Sequence, residues 1–432
     1  MSAPQLSSPL RITHIITRLI VGGAQENTIA TVLGLRSRPG LALDLISGPT
    51  TGPEGSLESA VAKAPGTYTV LPQLVRPVHP WKDALALMRL INLLRARQPH
   101  IVHTHSGKAG LLGRLAARRA GVPIVIHTLH GPSFGPFQGP IANAAFWAAE
   151  KLAARCTTHF VAVAEALIRR YVEAGIGRPE QFSCIRSGFD LEPFLTARND
   201  PALRARWGLA REHFVVGKIA RLFKLKGHDD LLAAAVPVVQ QQPQVRFLLV
   251  GDGPGRQRLQ QKVRRLGLDQ HVILTGLVGP AEIPSLIGIM NVVVHLSRRE
   301  GLPRALAQAL AAGRPVVAYD CDGAGEVCLD NQTGFLLAPG DVPGLAQRLI
   351  QLASDPDLGR RLGQRGQELV RQQFSLDRML AQLEQLYWRL AEARGLNPCH
   401  PAATQPLAQG PCIPQHAAGT SLRCSVGQSS SA

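Results

Sequence analysis

Glu300 is followed by Gly301, Leu302 and Pro303, a loop that opens a helix, and Gln308 comes eight positions after it. Eight residues are about two helical turns, so the carboxylate and the amide can share one face. A carboxylate at the carboxyl end of a buried strand suits the holding of a hydroxylated or cationic group. The helix start offers free N–H groups and a positive dipole end, so an anion belongs above Gly301, Leu302 and Pro303. Arg221 and Lys226, five apart in a strand-to-helix loop, make a second cationic feature. The guanidinium can grip phosphate oxygens bidentately, while the ammonium adds a mobile point charge. A solvated loop face is the alternative. The Gly22-Gly23 pair between the first strand and first helix lets backbone approach a phosphate, or is an ordinary tight turn. His103, His105 and His130 fall at the ends of two expected strands; zinc is one reading, although no carboxylate or thiol stands at the usual metalloenzyme spacing.

Short apolar strands alternating with helical stretches must position these groups. Residues 11–17, 41–47, 101–103, 124–128 and 160–164 read as strands of the first half. Residues 215–220, 246–250, 272–275, 292–296 and 315–319 read as those of the second. That rhythm predicts parallel βαβ units. The helix after Glu300 is predicted to open near Pro303 and close at Gly313. Residues 375–394 carry Leu376, Met379, Leu380, Leu383, Leu386, Tyr387 and Leu390 on one stripe, an amphipathic helix. The stretch 132–149 is aromatic and apolar; we expect a core-facing helix behind an acceptor loop, the alternative being a helix resting on an anionic membrane.

Glu300-Gly301-Leu302-Pro303, followed by Ala305 to Gly313 and Pro315-Val316-Val317, resembles the donor-binding signature of retaining glycosyltransferase family four. That signature has two glutamates eight apart. This chain keeps the first and has Gln308 in place of the second, which in the family holds ribose hydroxyls; an amide can still hydrogen-bond them. Arg221-Leu222 with Lys226-Gly227 is similar to the family's diphosphate motif. His103-Thr104-His105 with His130-Gly131 resembles its acceptor-side domain, and Gly276-Leu277 is similar to the segment that lies near the nucleobase.

The resemblance covers residues 11–394 and implies an α/β protein of two doubly wound Rossmann-like domains facing across a cleft, the GT-B arrangement, with a C-terminal helix crossing back. Residues 1–200 would form the acceptor-side domain, 201–372 the donor domain, 373–395 the crossing helix and 396–432 a disordered tail. The implied reaction moves a sugar from a nucleotide-diphosphate sugar, UDP rather than GDP, to an acceptor hydroxyl with retention, in cell-envelope polysaccharide or glycolipid synthesis. His130 and Glu300 would be catalytic. Gly22, Gly23, Arg221, Lys226, Leu277, Gly301, Leu302, Pro303 and Gln308 would bind the donor. His103 and His105 are acceptor-side candidates or structural. No metal ion and no cofactor are implied.

The chain has 432 residues, 45% hydrophobic and 18% charged, and a formal net charge of +17 shared by both halves. It is too long for one core and too apolar for disorder to dominate. The basic surface suits phosphates, whether of nucleic acid, anionic lipid headgroups or a nucleotide diphosphate. The resemblance implies a nucleotide-sugar donor with a saccharide or lipid-linked acceptor at an anionic membrane surface, and no nucleic acid. Seven scattered cysteines favour reduced thiols, and neither a signal peptide nor a membrane span is expected, so the expected place is the cytoplasm, peripheral to the inner membrane face. Gly251-Asp252-Gly253-Pro254-Gly255 is not a dinucleotide fingerprint, because Pro254 and Arg256 break it. Two alternatives are a nucleotide-sugar epimerase or hydrolase of the same fold, and a non-catalytic polyanion-binding homologue.

Overall fold

The computed structural model describes residues 8–51, 55–64, 66–135 and 137–396; the tail expected from 396 onward lies, apart from its first residue, outside them. Thirteen strands form two sheets among the described residues. The first contains β1 (Leu10–Ile16), β2 (Leu41–Ser47), β3 (Tyr68–Val70), β4 (Ile101–His105), β5 (Ile124–Leu129), β6 (His159–Ala162) and β7 (Phe182–Cys184), in the order β3-β2-β1-β4-β5-β6-β7. The second contains β8 (Phe214–Ile219), β9 (Val245–Val250), β10 (Val272–Gly276), β11 (Val292–His295), β12 (Val316–Tyr319) and β13 (Gly334–Leu337), in the order β10-β9-β8-β11-β12-β13. All pairings between these strands are parallel. Runs such as Val292–His295 and Val316–Tyr319 are buried throughout, as expected for strands covered by helices on both faces.

Strand order reverses between β1 and β4 in one sheet and between β8 and β11 in the other, which is where open parallel sheets leave a crevice. Gly22 and Gly23 follow β1, His130 follows β5, Lys226 follows β8 and Glu300 follows β11. Every one of these groups is therefore delivered to a strand's carboxyl end.

The chain passes between the sheets at Phe189 and returns at Phe374, the two crossings joined by Phe189 N–H to Phe374 C=O (3.1 Å) and Leu376 N–H to Phe189 C=O (3.2 Å). The helix Leu376–Glu392 then buries Met379, Leu380, Leu383, Leu386, Tyr387, Trp388 and Ala391 in the core of the first sheet.

Two expectations need correction. Strand β4 runs to His105, so His103 is inside the strand and completely buried. The helix Pro140–Ala154 faces the core only along the stripe of Trp147, Ala153 and Ala154, and its other apolar residues turn outward: Ile141 is 87% exposed, Leu152 50% and Phe146 44%. Its buried positions are taken by Ala153 and by Glu150, which is needed at 2.7 Å from the buried Arg114 guanidinium of the neighbouring helix. An unpaired Arg114 would be costly, so the ion pair fixes which face of this helix turns inward.

Candidate active site

Between the two sheets lies a cavity of about 730 Å³, well within the range of small-molecule sites. Gly22, Gly23, Gln25, Glu26 and His130 line it from the first domain; Arg221, Lys226, His295, Glu300, Leu302, Pro303, Arg304, Ala305 and Gln308 line it from the second. Sequence spacing therefore brought most of its candidates into one place. Leu277 is 55% exposed and outside the cavity wall, its neighbour Val278 lining it instead, because the chain turns at Gly276 (φ 79°). His103 and His105 are also outside the wall, behind His130. Gly301 serves as a spacer between the domains.

The donor-side wall is built on charge. Glu300 Oε1 accepts hydrogen bonds from Lys226 Nζ and from His295 Nε2 (3.1 Å), and the Glu300 N–H donates to Asp322 Oδ2 (2.7 Å). Burial alone would raise the Glu300 carboxyl, but the Lys226 charge and the His295 hydrogen bond outweigh it and hold the group well below the usual carboxylate range. Burial keeps His295 below its ordinary value despite Glu300. Lys218, buried in β8 close by, is brought down to about 7 by burial first and by the Lys226 charge second.

Two helices begin at this cavity with no side-chain cap. The helix Gly23–Arg36 starts after Gly22, and the helix Arg304–Ala311 starts after Pro303. Pro303 caps the second helix rather than entering its first turn and has no N–H to offer, so the donors at that end are Arg304 and Ala305. Lys226 is positioned by Gly227, whose φ of 65° is left-handed and whose missing Cβ would lie 2.1 Å from the Leu296 carbonyl oxygen.

Around His130 the first-domain wall is neutral. His130 is brought down to about 4 by burial, and its Nε2 lies 3.1 Å from His105 Nδ1. His105 Nε2 meets His14 Nδ1 at 2.9 Å, and His14 and His103 are in register across β1 and β4. His14, His103 and His105 are likewise driven down by burial, so all four rings are uncharged near neutral pH.

The walls touch. A Cβ on Gly301 would lie 2.0 Å from the His130 carbonyl oxygen, so the approach admits only glycine. Arg304 pairs with Glu26 at 2.9 Å, Arg170 with Asp322 at 2.8 Å, and Arg299 donates to the Pro132 carbonyl at 2.7 Å. Sequence reasoning missed His14, Tyr387, Glu26, Arg304 and His295. For His295 a signal was present: a polar ring ending an apolar strand five residues before Glu300.

Both halves of the chain match known protein families. A family model described as "Glycosyl transferase 4-like domain" matches residues 22–186, and one described as "Glycosyl transferases group 1" matches residues 199–369. The chain is 32% identical over 294 residues to an Escherichia coli UDP-Gal:alpha-D-GlcNAc-diphosphoundecaprenol alpha-1,3-galactosyltransferase, covering 66% of this chain and 74% of that protein. It is 26% identical to the Staphylococcus aureus capsular polysaccharide biosynthesis glycosyltransferase CapM, covering 72% and 82%. The crystal structure of Anabaena HepE in complex with UDP and glucose superposes with a TM-score of 0.74 at 25% identity, covering 87% of this chain and 99% of that one.

Proposed function

Because the chain belongs to the family-4 type of glycosyltransferases with the GT-B fold, acting in polysaccharide or lipid-linked sugar synthesis, we propose that it transfers a sugar from a UDP-sugar to an acceptor hydroxyl with retention and without a metal ion. What carries the reading is the convergence on one cavity of Arg221, Lys226, two uncapped helix starts and a partly buried, ionised Glu300. Arg221, Lys226 and the amides of Arg304 and Ala305 are arranged to stabilise a departing diphosphate, the charge that grows in the transition state. Glu300, its other partners being cationic or neutral donors, would accept hydrogen bonds from donor-sugar hydroxyls. Gln308 would meet the ribose. His130, neutral and across the cavity, would contact the transferred sugar. HepE, crystallised with UDP and glucose, supports the choice of base.

Calorimetric titration with UDP, GDP and ADP, each with and without a divalent cation, tests this directly. Micromolar binding of UDP that ignores the cation is expected; saturable binding of none of the three would overturn the reading.

The acceptor, on this reading, is presented at an anionic membrane. Among the described residues no helix is long and apolar enough to cross one. The exposed Ile141, Phe146 and Leu152, with Lys151 and Arg155 exposed on the same helix, have the composition of an interfacial face. Vesicles containing phosphatidylglycerol should carry the protein on flotation, and an Ile141→Ser, Phe146→Ser double variant should be left behind.

A further inference from the structure

His130 is the end of a hydrogen-bonded chain that runs back into the first domain. From His130 Nε2 it passes to His105 Nδ1 (3.1 Å), from His105 Nε2 to His14 Nδ1 (2.9 Å), from His14 Nε2 to the Tyr387 hydroxyl (3.4 Å), from that hydroxyl to His103 Nδ1 (2.6 Å), and from His103 Nε2 to Thr128 Oγ1 (2.6 Å). His14, His103, His105 and Tyr387 are buried. We propose that His105, His14, Tyr387 and His103 are positioning residues that set the tautomer of His130, and so decide whether the nitrogen it offers to substrate, Nδ1, is a donor or an acceptor.

A neutral imidazole has one N–H and one lone pair, and each internal ring here uses both nitrogens. If His130 Nε2 donates to His105, then His105 must donate to His14, His14 to Tyr387, Tyr387 to His103 and His103 to Thr128. If His105 donates to His130, every link reverses. Between two rings a mixed order leaves two lone pairs or two N–H groups face to face; at Tyr387, whose oxygen can accept from both His14 and His103, it leaves the hydroxyl proton without its partner, and in a buried site either fault costs a hydrogen bond and its desolvation. The whole chain therefore has one direction, and His130 cannot choose its tautomer alone.

A metal ion fits this cluster less well. His14, His103 and His105 are close enough to be considered as ligands. However, His14 and His105 point ring nitrogens at each other 2.9 Å apart with planes only 11° from parallel. Two nitrogens on a tetrahedral zinc ion at ~2.0–2.1 Å would be ~3.3 Å apart with both lone pairs aimed at the ion.

The inference rests on His130 contacting the substrate, and the test separates the two ideas. In protein with 15N-labelled histidine, the His130 ring, assigned by loss of its signals in His130→Asn, should show one tautomer. Tyr387→Phe keeps the ring and removes the hydroxyl; Thr128→Val changes the far end almost isosterically. Both should turn the single His130 tautomer into a mixture. His105→Leu should lower kcat about tenfold with donor KM within twofold, a loss of the size outer positioning partners command. His105→Asn, whose amide can stand in for Nδ1, should restore most of it. An unchanged His130 signature in both Tyr387→Phe and Thr128→Val would overturn the chain, as would stoichiometric zinc in the purified protein. If the tautomer mixes while kcat is unchanged in these variants and in His130→Ala, the role of His130 falls instead, and with it the function of the chain.

Discussion

The two walls of the cleft solve different electrostatic problems with almost opposite chemistry. The second-domain wall pairs Lys226 with Glu300 and sends Arg304 across to Glu26, so that the cost of burying these charges is offset by pairing, with Lys218 buried behind them, unpaired among the described residues. The first-domain wall presents a neutral His130, backed by His105, His14, His103 and Tyr387, which burial keeps uncharged and hydrogen bonds join, while its Glu26 is paired with Arg304 away from those rings. A leaving diphosphate needs fixed cations waiting for it. A sugar ring needs shape and directional hydrogen bonds, and a stray charge beside it would be a liability. On the proposed function, the difference means that the cleft separates charge stabilisation from orientation, one to each domain.

Substitutions can break that comparison. The largest effect is expected for Lys226→Ala, which removes the proposed diphosphate contact and leaves Glu300 without its strongest partner. The ratio kcat/KM should fall by roughly 10²–10³, with weaker UDP binding by calorimetry. His130→Ala should lower kcat by about 10²-fold while the UDP dissociation constant moves less than twofold; equal losses in both would erase the division of labour. Gln308→Glu sharpens the donor side. It replaces a neutral acceptor by a charged one, and donor KM should drop about fivefold through a stronger bond to a ribose hydroxyl.

Lys218→Met is the smallest and concerns stability. The folded-state value of Lys218, about 7, lies below that of the unfolded chain. The buried ammonium therefore destabilises the wild type most below pH 7, and the penalty fades as pH rises toward ~10.4. The variant should melt higher than wild type at pH 6.5, and the gap should close by pH 10 in thermal scans.

Much of the donor wall was legible in the sequence because its members are close in the chain or attached to a recognisable loop. Glu300 and Gln308 share one helix approach, and Arg221 and Lys226 share one loop. The acceptor wall was only half legible. His130 could be placed at a strand end, but the pairing of His14 with His103 depends on the register of β1 against β4, and Tyr387 arrives from 373 positions beyond His14. Periodicity fixes which face a residue takes and says nothing about which strand lies beside it. The Pro140–Ala154 helix misled for a related reason. Its apolar composition pointed inward, while the buried Arg114 of a neighbouring helix required Glu150 there.

The crossing helix also has a consequence for biosynthesis. The first sheet is complete once Cys184 has been made, yet Leu380, Leu383, Tyr387 and Trp388, which cover it, are translated only after the whole donor domain. At ~5–20 residues per second the ribosome needs on the order of ten to forty seconds to reach them. For that interval the nascent first domain presents Ile12, Val32 and Ile126 without their lid. Chaperone dependence should therefore be concentrated in the N-terminal half, and a release at residue 372 should yield an aggregating product even though both sheets are present.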